Sequence, residues 1–155
     1  MKEALDNANQ ELKRVDHLYY VSLKYTRTVD MMKHMVERLI STFSFGIESL
    51  LKHAKDEKKI DEIPGNLGLR CKLVLETFPG EEIADYMNLY LKLRKILRAK
   101  YTKREEYRRH VTMTATIDNG EVVEINIDNL KEHYETVKNF IKLVKVIEEG
   151  EEEED

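Results

Sequence analysis

The sequence lacks the features by which several classes of protein are recognised. Its 155 residues include no Trp, one Cys (Cys71), two Pro and six Gly. A single cysteine excludes an intramolecular disulfide and a zinc site built on cysteines. None of the glycines lies in a phosphate-binding motif, and no run approaches the ~18 consecutive apolar residues that a membrane span requires. With 41% hydrophobic and 36% charged residues, the composition predicts one soluble, helix-rich domain.

The start of the chain, MKEALDNANQ, is polar, and this predicts that no signal peptide is present. A cytoplasmic location without membrane contact is therefore expected. Nothing in the residues implies a cofactor. Lys and Glu are abundant and Gln10 is the only Gln, a composition typical of heat-adapted proteins.

The charged residues are segregated along the chain. The formal net charge is −4, and the seven acidic residues from Glu148 to Asp155 carry −7, so the remainder is +3. Between Leu91 and His110, nine Lys or Arg stand against two Glu. We predict a single domain over 1–149 and a disordered acidic tail over 150–155. The tail either only keeps the protein in solution or shields the basic surface.

Apolar residues recur at helical spacing through most of the chain. The spacing predicts helices over about 3–25, 29–54, 69–77, 81–99 and 130–147. Thr26 or Thr28 is suited to cap the second helix. Because no Gly or Pro separates the first two helices, one long or kinked helix over 3–55 is the alternative.

The pattern changes after the basic segment. Thr102-Lys103-Arg104-Glu105 matches a capping box and predicts a short helix over 103–109. Apolar and polar residues then alternate on both sides of Asn119-Gly120, which predicts a β-hairpin over about 110–127. Asn129 and Glu132 match a second capping box, at the start of the last helix. The predicted fold is mainly α, a helical bundle of about five helices with one hairpin inserted before the last helix.

Metal-binding patterns are few. His34 and Glu37 are three positions apart on a helix, where they either share a metal or form a pair at the core edge. Two ligands fall short of a closed metal site. None of the five histidines follows a Glu by three positions, so the Glu-x-x-His motif of di-metal bundles is absent. We therefore predict no metal site.

The basic segment combines cations with tyrosines. Cations neutralise nucleic-acid phosphates, and aromatic rings stack on bases. The alternative is that these charges only line the solvated face of a helix. If the segment binds RNA, the predicted contact residues are Arg98, Lys100, Lys103, Tyr107, Arg108 and Arg109.

The stretch Arg104-Glu105-Glu106-Tyr107-Arg108-Arg109-His110, late in a compact bundle, resembles the HEPN superfamily. Its proteins are helical bundles and commonly dimers, and its active members are metal-independent ribonucleases whose motif is Arg, a short spacer and His. The resemblance implies that Arg104 holds the scissile phosphate and that His110 assists proton transfer at the ribose 2′-hydroxyl. A guanidinium can bind a phosphate bidentately, and imidazole titrates near neutrality. The resemblance also implies a homodimer.

Two functional hypotheses follow. The first is an RNA-associated protein of the HEPN kind, with a ribonuclease site at Arg104 and His110. The second is a non-catalytic, dimerising helical module of unknown partner, in which the Arg/His cluster forms a structural network of ion pairs.

Overall fold

The chain is mainly α, with a helical bundle and a small antiparallel sheet that precedes the last helix, which confirms the predicted fold class. The computed structural model describes residues 2–154, and for residues 151–154 it describes the backbone alone. No helix within that range is both long and apolar enough to cross a membrane. The elements in chain order are α1 (Lys2–His17), a π-helical turn (Leu18–Ser22), α2 (Leu23–Tyr25), α3 (Val29–Asp56), α4 (Leu67–Thr77), α5 (Glu81–Arg98), β1 (Lys100–Arg104), β2 (Thr112–Thr116), a 3₁₀ turn (Asp118–Gly120), β3 (Val122–Asn126) and α6 (Ile127–Glu154).

A break at residues 26–28 separates the N-terminal helical segment from α3. Thr28 has extended backbone angles, and its hydroxyl accepts a hydrogen bond from Met31 N at 3.1 Å. Thr28 is therefore the N-cap of α3, since it satisfies one of the amides that a helix start leaves free. Of the two alternatives for 3–55, the structure has two helical segments.

The central helix is α3, which α1, α4, α5 and α6 all contact. Its wide apolar stripe is buried, with Phe43 in ring contact with Tyr90 of α5 and Phe140 of α6. Gly46 lies where α6 crosses, and a Cβ there would come within 2.6 Å of Cε2 of Phe140. The absence of a side chain at Gly46 therefore lets α6 approach closely.

The sheet has three strands in the order β1-β2-β3. The β2–β3 hairpin was predicted, but the short helix over 103–109 was wrong. Residues 100–104 instead form a strand whose register with β2 runs from Lys100 opposite Thr116 to Arg104 opposite Thr112. The capping-box pattern is a local signal, whereas the open edge of β2 offers hydrogen-bond partners to a whole strand. Tyr101 within β1 also favours a pleated strand.

The hairpin turn is longer than the Asn-Gly pattern indicated. Asn119 and Gly120 both have positive φ (58° and 81°), as an Asn-Gly turn requires. They nevertheless belong to a 3₁₀ turn that starts at Asp118, and Ile117 N donates to Glu121 O across its base at 2.8 Å.

The last helix begins earlier than its capping-box pattern indicated. Asn126 Oδ1 accepts from Asn129 N, and Asn129 Oδ1 accepts from Asn126 N, both at 2.9 Å. The capping pair is therefore Asn126 and Asn129, and the predicted pair of Asn129 and Glu132 was wrong. Asn129 Nδ2 also donates to Glu124 O at 2.8 Å, which ties the helix start to β3 and favours the earlier cap.

The backbone of α6 runs through Glu154, past the predicted helix end, so Gly150 is a helical residue. The division into a domain over 1–149 and an acidic tail over 150–155 stays a prediction. Asp155 lies outside the described residues.

Asn126→Ala is expected to lower the free energy of unfolding by about 1 kcal/mol, because it removes the side-chain oxygen that accepts from Asn129 N and leaves that amide at the helix start unpaired. Urea denaturation followed by circular dichroism measures this change. Asn139→Ala is the matched control, since Asn139 is an exposed residue within the same helix. Equal effects of the two substitutions would contradict the assigned cap.

Candidate functional site

Hydrogen bonds hold the loop between β1 and β2 against the segment that joins α2 to α3. Its backbone enters the left-handed region at Glu105 (φ 58°) and Tyr107 (φ 67°), a conformation that non-glycine residues rarely adopt. Tyr107 N donates to Arg27 O at 2.7 Å, and Val29 N donates to the Glu106 carboxylate at 3.0 Å. Glu106 thus satisfies a free amide at the start of α3, where the helix dipole favours negative charge.

The sheet brings Arg104 beside residues distant from it in sequence. Its register places Arg104, Thr112 and Asn126 in one row across the three strands. Side chains two positions apart on a strand point to the same face, so Glu124 shares the face of Asn126. Arg104 Nη2 donates to Glu124 Oε1 at 2.9 Å.

A cleft of about 260 Å³ lies on this face, and Arg104 and His110 line it together. The two residues predicted as a catalytic pair therefore share one site. Arg104 comes from the end of β1 and His110 from the loop that follows it. The first cleft, as we name it, is lined by Arg104, Glu105, Arg109, His110, Thr112, Glu124, Asn126 and Asp128.

A second ion pair crosses the first cleft. Arg109 Nη2 donates to Asp128 Oδ1 at 2.8 Å. This hydrogen bond, together with the charge of the guanidinium, lowers the pKa of Asp128 from its ordinary value. A lowered carboxyl pKa means that the pair is present above the ordinary value and is lost only as pH falls through the lowered one. The pair is therefore intact at neutral pH.

The other predicted contact residues, apart from Arg109, do not line the first cleft. Lys103 lies within 3.7 Å of Asp30 and 3.6 Å of Glu106, so it is engaged at the start of α3. Tyr107 is 77% exposed. The remaining three are exposed on α5, β1 and the loop: Arg98, Lys100 and Arg108.

A second cleft of about 240 Å³ borders the first, and Arg109 lines both. Burial raises the pKa of Tyr19 in its wall, and the nearby charge of Asp128 adds to this effect. The hydroxyl of Tyr19 therefore stays protonated at neutral pH. The second cleft is lined by Tyr19, Tyr20, Leu23, Lys24, Arg27, Arg109 and Ile127.

Sequence reasoning missed several residues of both clefts. The alternation along β3 placed Glu124 and Asn126 on its polar face, but nothing in the sequence paired that face with Arg104. Tyr19 fits the apolar stripe of the helix predicted over 3–25, and this pattern indicated core packing. No local signal marks a π-helical turn, which depends on how α1 packs.

Two other places on the surface are weaker candidates for a functional site. A wider depression of about 690 Å³ between α5 and the hairpin turn is lined by neither His nor Arg, and its Lys95 already pairs with Asp118 at 2.7 Å. His34 and Glu37 form a half-exposed ion pair with 3.7 Å between Nδ1 and Oε2. Within the part of the chain that the structure describes, no group of three or more His, Cys, Asp or Glu is placed to hold a metal ion.

No protein-family model, curated protein or solved structure matches the chain. The HEPN resemblance, the homodimer that it implies and the cytoplasmic location stay predictions.

Proposed function

We propose that this protein binds RNA and cleaves it without a metal ion, in the manner that the HEPN resemblance implies. The observation that carries the proposal is the meeting of Arg104, Arg109 and His110 in the first cleft. Two guanidinium groups and one imidazole, from the end of β1 and the loop that follows it, offer what a phosphodiester requires: charge to hold the phosphate and a group that can transfer a proton.

The reaction assigns one role to each side chain. Arg104 holds the scissile phosphate and stabilises the charge that develops on it. His110 takes the proton of the 2′-hydroxyl, whose oxygen attacks the adjacent phosphorus. The bond to the 5′ oxygen breaks as that oxygen takes up a proton from water, and His110 returns its proton to the solvent, so the products are a cyclic 2′,3′-phosphate and a 5′-hydroxyl.

The carboxylates in the first cleft are compatible with these roles. A guanidinium has five N–H donors. Among the described residues, Arg104 contacts Glu124 and Arg109 contacts Asp128, in each case through one of the two terminal nitrogens. The remaining donors are left for a phosphate. Glu124 and Asp128 also orient the two guanidinium groups before RNA binds, which reduces the ordering that binding requires.

The first cleft itself is lined by two arginines and three carboxylates, so further positive charge for RNA binding comes from exposed cations outside it. Arg98, Lys100 and Arg108 are solvent-exposed, as contacts with successive phosphates require. Lys103 belongs to this set through its charge, although Asp30 and Glu106 offset part of it. Such contacts release counterions, so the affinity must fall with salt.

The binding part of the proposal is tested by fluorescence anisotropy with a labelled single-stranded RNA in EDTA over a range of salt concentrations. We expect log K to fall linearly with log salt, with a slope of about −0.7 per phosphate contacted. Absence of salt-sensitive binding would contradict the proposal.

Asp128→Asn is expected to tighten binding of single-stranded RNA about fivefold at low salt. The substitution removes a negative charge near the RNA and frees Arg109, and one charge pair at ~4 Å in water is worth ~1 kcal/mol. Asp118→Asn is the matched control, since Asp118 is also an exposed carboxylate paired with a cation, Lys95, but lies outside both clefts. Weaker RNA binding by Asp128→Asn would count against a role for Arg109 in contacting RNA.

The second candidate function is a non-catalytic, dimerising helical module, and the two ion pairs are what favour it. In that case Arg104 and Arg109 serve only to join the sheet, the loop and the start of α6. The side chains of Arg104 and Glu124 are 57% and 47% exposed, and such exposed pairs contribute about 0–1 kcal/mol. A contribution to stability therefore gives little reason for the presence of Arg104 and Glu124 at these positions. A double-mutant cycle of Arg104→Ala and Glu124→Ala, measured by urea denaturation, would support this function if the coupling clearly exceeded that range.

A further inference from the structure

The second cleft combines an exposed aromatic surface with cations. Tyr20 is 48% exposed. Its ring packs edge-to-face on Tyr19, with 4.9 Å between centroids and 81° between planes. Lys24, Arg27 and Arg109 line the same cleft. A planar, negatively charged ligand would match such a surface.

The π-helical turn is what places both tyrosines here. Leu23 N donates to Leu18 O, a five-residue spacing in place of the four of an α-helix. The wider turn changes the direction of the side chains that follow it. Isolated π-helical turns are rare and occur frequently at functional sites.

Arg27 lines the second cleft and carries a buried, unpaired donor behind it. Its Nε is buried and has no hydrogen-bond partner among the described residues. A buried donor on a charged group is costly to leave unpaired, so buried polar groups nearly always have a partner. Because this atom is closed to solvent, a phosphate in the second cleft would contact Arg27 through its terminal guanidinium nitrogens, and Nε would gain an acceptor only if the side chain shifted.

Because Arg109 lines both clefts, the two form neighbouring binding places for one chain of nucleotides. We propose that the second cleft binds the nucleotide next to the scissile phosphate, with its base on the Tyr20 ring and its phosphate at Arg27 and Arg109. This inference rests on the proposed function and deepens it. A base that stacks on a protein ring must be splayed out of a duplex, so the substrate is single-stranded RNA.

The test uses the full chain and three probes in EDTA: a labelled single-stranded oligoribonucleotide, the duplex of the same sequence, and free uridine monophosphate. Tyr20→Ala should weaken binding of the single strand about tenfold, because it removes the stacking surface. Tyr20→Phe keeps the ring face and should bind within about twofold of the wild type. Arg27→Met, which keeps the length of the side chain, should also weaken binding and reduce the salt slope by about 0.7. Binding of the duplex should not respond to Tyr20→Ala.

The outcomes separate this inference from the proposed function. If Tyr20→Ala binds the single strand like the wild type while Arg104→Ala binds it weakly, the second-cleft inference is overturned and the RNA function stands. If uridine monophosphate binds as tightly as the oligonucleotide and Arg104→Ala changes neither, the second cleft is a site for free nucleotides and the inference fails. If the wild type binds no RNA, the proposed function and the inference fail together. Thermal unfolding of each variant confirms that the comparison is between folded proteins.

Discussion

Replacement of His110 by alanine is expected to reduce RNA cleavage by about 10²- to 10⁴-fold, the usual contribution of a side chain that transfers a proton in the transition state. His110 is exposed and lies in a loop outside the hydrophobic core, so the fold should be unchanged. The measurement is incubation of the purified protein with single-stranded and transfer RNA in EDTA, with products separated on a denaturing gel. Thermal unfolding of the variant should match that of the wild type.

Arg104 provides the companion experiment. Arg104→Ala should also abolish cleavage, since it removes the group that holds the phosphate. Arg104→Lys keeps the charge but loses the planar fork that binds two phosphate oxygens at once, so we expect partial activity at most. His34→Ala is the matched histidine control, because His34 is a half-exposed residue that lines neither cleft.

Either of two results would reject catalysis at this site. Cleavage that persists in His110→Ala at the wild-type rate would point to another site or to a contaminating nuclease. A wild-type protein that binds RNA but never cleaves it would leave a binding protein whose first cleft only holds phosphate.

Phe140→Ala is expected to lower the free energy of unfolding by about 3–5 kcal/mol, the range for removal of a large buried ring. Phe140 is fully buried between α3 and α5, with centroids 5.2 Å from both Phe43 and Tyr86. Because a single domain has a total stability of about 5–15 kcal/mol, this one change removes a large fraction of it. Urea denaturation measures the loss, and Phe140→Leu, which keeps much of the volume, should be markedly milder.

A double-mutant cycle with Gly46 tests the same packing from the other side. Gly46→Ala should destabilise the wild type, because overpacking costs about 1–3 kcal/mol and the gain in helix propensity offsets only about 1 kcal/mol. In the Phe140→Ala background the nearest obstacle is gone, although Ile141 Cδ1 still lies 2.8 Å from the added Cβ. Gly46→Ala should therefore cost less there. Equal costs in both backgrounds would contradict the close approach of α6 to Gly46.

Much of the fold was predicted because its signals are local. Helical spacing identified α3, α4, α5 and most of α1, and alternation around Asn119-Gly120 identified the β2–β3 hairpin. The two errors lie where a local sequence pattern competes with hydrogen bonds to another element of the fold. The capping-box pattern at Thr102 gave way to pairing with β2, and the helix start predicted at Asn129 moved to Asn126 because Asn129 also bonds Glu124 of β3.

The candidate site, too, depends partly on local sequence and partly on the tertiary structure. The types of residue in the basic segment, and the spacing of Arg104 and His110, are properties of the sequence itself, and they define the chemistry that the segment can perform. Only the tertiary structure decided that Arg104 and His110 line one cleft, that Glu124 and Asp128 hold its arginines, and that Arg27 and Tyr20 form the next cleft. The physical reason is that periodicity records which face of an element is apolar. The partner of a polar face depends on strand register and helix crossing, which are set by the packing of the whole chain.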